Sequence, residues 1–183
     1  MSNREWGHLL AVPILVGVAS VASATDYLSV AEAQRVLLPQ VQTFVPFPIT
    51  LSSEQLGQIK RIAGVAQSTS QPKIWRGVSG GSTAGWVLVD EVIGKHELIT
   101  YAAAISPDGH VLGIEILSYR ESHGGEIRNP RWRERFRGKT VNDKLKLNQD
   151  IPNISGATLS CRNVTDGVKR LLAIHAVALA RVG

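Results

Sequence analysis

The feature that most constrains the fold is a pair of apolar runs, Leu98 to Ile105 and Val111 to Tyr119, separated by Ser106-Pro107-Asp108-Gly109. Both runs are rich in β-branched and aromatic residues, and the residues between them are turn formers. That combination predicts two antiparallel strands joined as a hairpin. Alternation predicts that Ile99, Tyr101, Ala103 and Ile105 share one face of the first strand. On the second, Leu112, Ile114 and Ile116 are expected to do the same. A sheet with an apolar face needs a cover, and the last thirty residues supply one. From Ser160 to Arg181, Val164, Val168, Leu171, Leu172, His175, Leu179 and Val182 recur at helical spacing, with Ile174 and Val177 widening the stripe. The expected class is α+β, a twisted antiparallel sheet with helices packed on it. His175 lies on the buried stripe and reads as structural.

Two further strands are predicted upstream, at Lys73 to Val78 and Trp86 to Val92, with Gly80-Gly81-Ser82 as the turn between them. Before these, helices are predicted from Tyr27 to Leu38, with Ser29 at the capping position, and from Ser52 to about Ile62. Pro39 and the Pro46-Phe47-Pro48 step interrupt the chain. Downstream, Pro130 to Phe136 reads as a short helix capped by Asn129. Eight Lys/Arg and only two acids lie between Arg128 and Lys146. Such a run is a solvated face, or a surface that guides a phosphate, an acidic partner or anionic lipid headgroups.

The first two dozen residues read as a secretory signal: Arg4, an apolar run from Leu9 to Val21, and the small-x-small site Ala22-Ser23-Ala24. Cleavage after Ala24 gives an extracytoplasmic, periplasmic chain; retention of the segment gives a membrane-anchored one. The domain expectation is a signal peptide over 1–24, a helical segment over 25–72 that packs on the main sheet, and a core domain over 73–183. Export sets aside nucleic acid as a partner, despite a net charge of +5. The single cysteine, Cys161, excludes an internal disulfide and cysteine-cluster zinc or iron–sulfur sites. No Cys-x-x-Cys-His run offers a covalent haem site. No GxGxxG run indicates direct oxidation of NAD(P)H.

Immediately before the final helix stands Ser155-Gly156-Ala157-Thr158-Leu159-Ser160. Small residues and hydroxyls at a helix N-terminus suit an anion, because first-turn N–H groups are unpaired and the dipole is positive there. They equally suit simple capping by Thr158 or Ser160. A second segment, Arg120-Glu121-Ser122-His123-Gly124-Gly125-Glu126-Ile127-Arg128-Asn129-Pro130-Arg131-Trp132, is followed by Gly138-Lys139. Together, in this order, the two segments resemble the FMN-binding domain family. That family includes the C subunit of sodium-translocating NADH:quinone oxidoreductase and the G subunit of the Rnf complex.

The resemblance covers roughly Lys73 to the C-terminus. It implies covalent FMN, carried on Thr158 through a phosphoester that a separate flavin transferase installs. It also implies a flavin site at the start of the last helix. Gly156 and Ala157 would keep the phosphate loop open, Ser155 and Ser160 would donate to phosphate oxygens, and Leu159 belongs to the same loop. Arg162 would neutralise charge. Gly124 and Gly125 would admit the flat ring, Glu121 or His123 would meet its edge, and Trp132 is placed either near the ring or in the core. The implied function is an electron-transfer flavoprotein serving membrane or soluble redox partner proteins, a carrier more than an enzyme with its own substrate. The alternatives are a small FMN-dependent reductase of a quinone or metal chelate, and a non-redox anion-binding module. The pattern departs from the family at Pro152, where members usually carry aspartate, in a shorter glycine-rich loop, and at Ser160, where threonine is common.

Overall fold

Six strands form one sheet in the order β1-β6-β5-β4-β3-β2, and every neighbouring pair is antiparallel. The computed structural model describes residues 25–121 and 124–182, so the predicted signal segment and His123 lie outside the described residues. The strands are β1 (Thr25–Asp26), β2 (Thr43–Pro46), β3 (Lys73–Ser79), β4 (Ser82–Ile93), β5 (Leu98–Ile105) and β6 (Val111–Tyr119). The helices are α1 (Val30–Leu37), α2 (Ser53–Ala63), α3 (Pro130–Arg133) and α4 (Thr158–Ile174). This is the expected α+β architecture.

Local chemistry accounts for the element ends. Ser29 and Ser52 each accept from the backbone of the third helical residue, while Glu32 and Gln55 bond back to the cap, completing a capping box on α1 and α2. The β3–β4 turn needs two residues of positive φ, and Gly80 and Gly81 supply them at 58° and 80°. Asn129 Oδ1 accepts from the Arg131 N–H at 2.9 Å and starts α3 at Pro130, after which the chain tightens into a 3₁₀ turn over Glu134–Phe136. The α-helical hydrogen bonding of α4 gives way to a π turn over His175–Leu179, so the predicted single helix ends in two geometries.

The segment 25–72 contributes two strands that the sequence reading lacks, and they form both edges of the sheet. Their brevity hid them. β1 has two residues, and β2 ends on Pro46, which an edge strand tolerates because one row of its backbone groups faces away from the ladder.

The sheet is covered on both faces. Ala33 and Leu38, from α1 and its end, pack with Val87, Val89, Ala102, Ala104 and Leu117. On the opposite face Ile59 of α2 and Val164, Val168, Leu171 and Leu172 of α4 pack with Trp86, Leu88, Tyr101, Ala103, Ile114 and Ile116. One expectation fails here. Leu112 packs with the α1 face, whereas Ile114 and Ile116 pack under α4. The register shifts between Ala104 and Ile105, so Ala104 faces Gly113 and Ile105 faces Val111, which breaks the simple alternation. Val182 is 45% exposed and does not continue the buried stripe.

Candidate functional site

Helix α4 begins at Thr158, with Ala157 in the capping position and no side-chain capping bond. Neither hydroxyl expected to cap the helix does so, because both lie within its first turn and bond elsewhere. Ser160 is buried and its Oγ lies 3.2 Å from Tyr119 Oη. Thr158 is half-buried and its Oγ1 accepts from Asn153 Nδ2 at 3.0 Å. Among the described residues, the first-turn N–H groups are thus left without a side-chain acceptor, at the positive end of a 17-residue helix.

A cleft of about 520 Å³ opens beside this helix start, walled by Lys95, His96, Glu121, Gly156, Ala157, Thr158, Leu159 and Ser160. Its size lies within the ~300–1,000 Å³ of typical small-molecule and cofactor sites. Leu159 is 43% exposed and offers the cleft an apolar surface. Gly156 takes φ 84°, and a Cβ there would meet nothing within 4 Å, so its use is conformational.

The second segment reaches the same place. Gly124 is buried at φ 94°, and a Cβ there would overlap Tyr119 Oη and lie 3.4 Å from Ala157 Cα and Cβ. The glycine therefore admits the hydroxyl of Tyr119 and the backbone of the Gly156-Ala157 loop, instead of standing open to a ring. Gly125 has nothing within 4 Å of a built Cβ and opens a 3₁₀ turn over Gly125–Arg128. Glu121 turns its carboxylate onto the β4–β5 turn, where Oε1 accepts from the backbone N–H groups of His96 and, at 2.9 Å, Glu97. Burial pushes that carboxyl up, but the N–H groups of Glu97, His96 and Lys95 outweigh it and hold the group below the usual carboxylate range.

Other residues singled out in the sequence serve the fold. Trp132 is buried in edge contact with Phe136, ring centroids 5.0 Å apart, and its Nε1 donates to the Pro152 carbonyl at 2.8 Å. Position 152, which departs from the family pattern, is thus a fixing point for the loop ahead of Thr158. Asp150, the nearest acid, accepts from the N–H groups of Leu145 and Lys146 and pairs with Lys139 at 3.4 Å. Cys161 is buried, and burial pushes its thiol up, away from reactivity. His175 is buried beneath the β5–β6 turn, where burial holds its imidazole below the ordinary value. Ser155 and Arg162 are exposed, and neither lines the cleft.

Lys95 and His96 were not found by sequence reasoning. Their only signal was position on a short turn between two strong strands, and loops on a rigid scaffold commonly carry function. Among the described residues, no group of three or more His, Cys, Asp or Glu could hold a metal ion. No helix among them is long and apolar enough to cross a membrane.

Comparison with known proteins places this geometry in context. No curated protein matches the chain. Among solved structures, NqrC of Shewanella oneidensis is similar, with a TM-score of 0.52 and 16% identity over 74% of this chain and 80% of that one. That likeness is one of fold. Residues 94–173, which run from the β4–β5 turn through both glycine-bearing segments to the end of α4, match the family model of the FMN-binding domain. Over those residues the chain is similar to the FMN-binding domain, and its fold is similar to that of NqrC.

Proposed function

We propose that this chain is an exported electron-transfer flavoprotein whose FMN is held through a phosphoester on Thr158. One observation carries the reading: the two candidate hydroxyls are treated oppositely. Both line the cleft at the helix start, but Ser160 is buried and engaged with Tyr119, whereas Thr158 is half-buried and bonds only the exposed Asn153 among the described residues. A phosphate esterified to Thr158 would meet the first-turn N–H groups and the positive helix end, which favour an anion. Gly156 leaves the approach to it open, and Leu159 gives a flat ring an apolar surface. FMN supplies the redox chemistry when bound, and the protein sets its position and its electrostatic surroundings.

The chain is further proposed to need a flavin transferase for maturation and to relay electrons between membrane or soluble partner proteins, without a substrate of its own. Its place is outside the cytoplasm, with the 1–24 segment acting as a signal that is cleaved after Ala24. Within it, 73–183 forms the flavin-bearing unit on which 25–72 packs.

Intact-mass measurement after coexpression with a flavin transferase tests the reading. The wild-type chain should gain one FMN phosphoester and turn yellow. Thr158→Ala should abolish the gain and Ser160→Ala should keep it. A colourless, unmodified wild-type protein would falsify the flavin reading, and an adduct that survives Thr158→Ala would move it to another residue.

A further inference from the structure

The turn between β4 and β5 is gripped from two sides. Glu121, just past β6, accepts from the N–H groups of His96 and Glu97 with one carboxylate oxygen. From α4, Asn163 Nδ2 donates to the carbonyl oxygens of Ile93 at 2.5 Å and Gly94 at 3.3 Å. Gly94 is buried, and a Cβ there would stand 2.7 Å from Glu121 Oε1, so the carboxylate closes directly on backbone. The side chains that this turn displays are not held for their own packing. Lys95 and His96 are exposed, and both line the cleft that contains Thr158. Lys95 has no ion-pair partner among the described residues.

Exposed hairpin turns are ordinarily the mobile parts of a sheet. This one is tied to the element that carries Thr158 and to the strand end that walls the same cleft, which fixes it relative to both. We infer that Glu121 and Asn163 are positioning residues, which hold the Gly94-Lys95-His96-Glu97 turn so that Lys95 presents its positive charge to the cofactor. Lys95 thereby raises the cofactor's affinity for electrons. This rests on the FMN reading above. Reduction adds negative charge to the bound group, and a fixed cation beside it favours the reduced side, by a modest amount because water screens an exposed lysine. Glu121 facing the ring directly would act with the opposite sign, since its negative charge opposes reduction.

The experiment is a potentiometric titration with dithionite, followed optically, on the full chain coexpressed with a flavin transferase and shown by intact mass to carry one FMN. Lys95→Gln should lower the two-electron reduction equilibrium about threefold to tenfold, a negative shift of about 14–30 mV, while Lys95→Arg stays at the wild-type potential. Glu121→Ala, which frees the turn, should also shift the potential negative and add little on top of Lys95→Gln. Asn163→Ala loosens the same turn from the other side, should shift the potential in the same sense, and replaces the Glu121 variant if that one fails to fold. A Lys95→Gln protein at wild-type potential, or a Glu121→Ala protein with a more positive one, overturns the inference while leaving the FMN reading intact. A wild-type chain that carries no FMN removes the reading and the inference together.

Discussion

Gly124 joins the two segments that define the site, and Gly124→Ala tests that junction most directly. Two costs follow from the geometry. At φ 94° an L side chain is strained, worth about 1–2 kcal/mol. The new Cβ would also overlap Tyr119 Oη and press on Ala157, an overpacking worth about 1–3 kcal/mol. Together these predict a loss of about 2–5 kcal/mol, or roughly 4–20 °C in the midpoint of thermal unfolding for a domain of this size. The damage is local: a displaced Tyr119 leaves Ser160, and a displaced Ala157 moves the residue that begins α4. Under the proposed function, flavinylation of Thr158 should therefore slow even at temperatures where the variant stays folded. Tyr119→Phe removes the atom that the Cβ strikes. Combined with Gly124→Ala it should cost less than the sum of the two single changes, by about 1 kcal/mol or more. Gly125→Ala is the control, with open space and no positive φ, and should stay within about 0.5 kcal/mol of wild type. The reasoning is refuted if Gly124→Ala unfolds with the wild type, or if the double variant is fully additive in urea or thermal denaturation.

Two further outcomes are expected. Arg170 of α4 bonds the Asp90 carboxylate through Nε at 3.2 Å and through Nη2, while Tyr101 Oη donates to the same oxygen at 3.0 Å, all in a buried setting. Arg170→Met strands that charge and should cost about 3–5 kcal/mol in urea unfolding, with much of the loss recovered in Arg170→Met/Asp90→Asn; a single variant within 1 kcal/mol of wild type would sink the account. Burial holds His175 below its ordinary 6.5, against the opposing pull of Asp108 and the Pro107 carbonyl. Its folded pKa is depressed, so the unfolded chain takes up the proton first. The stabilising contribution is therefore whole above pH 6.5 and is lost as pH falls from there toward the folded value. His175→Gln should remove that part of the pH dependence, and a wild-type-minus-variant difference that is flat from pH 8 to 5 would contradict it.

The sheet was legible where residues declare a period. The β5 and β6 boundaries fall where the apolar runs and the Ser106-Pro107-Asp108-Gly109 turn put them. Strands of two and four residues carry no period, so β1 and β2 escaped. The face of Leu112 was misjudged because a bulge cannot be read from alternation. The site divided in the same way. The loop before α4 announced itself through small residues and hydroxyls, but the use of Glu121 depended on a turn 24 residues upstream, which no local pattern encodes. Gly124 was recognised as a close-approach residue, yet what approaches it is Tyr119 and Ala157, a pairing set by tertiary structure.

Which of the two first-turn hydroxyls is buried can be read from the helical period. At about 100° per residue, Ser160 stands one turn before Val164 and three turns before Leu171, on the stripe that the helix must bury. Leu159 points to the opposite side, and Thr158 falls on the flank between. Burial follows that geometry: Ser160 is 4% exposed, Leu159 43%, and Thr158 intermediate. A hydroxyl on the stripe must find a buried partner, which Tyr119 provides, because an unpaired one would cost about 1–3 kcal/mol. A hydroxyl on the flank is under no such demand and stays partly exposed. The amphipathic pattern that anchors α4 to the sheet therefore also buries one of its first-turn hydroxyls and leaves the other partly exposed, which is the arrangement that the proposed phosphoester on Thr158 requires.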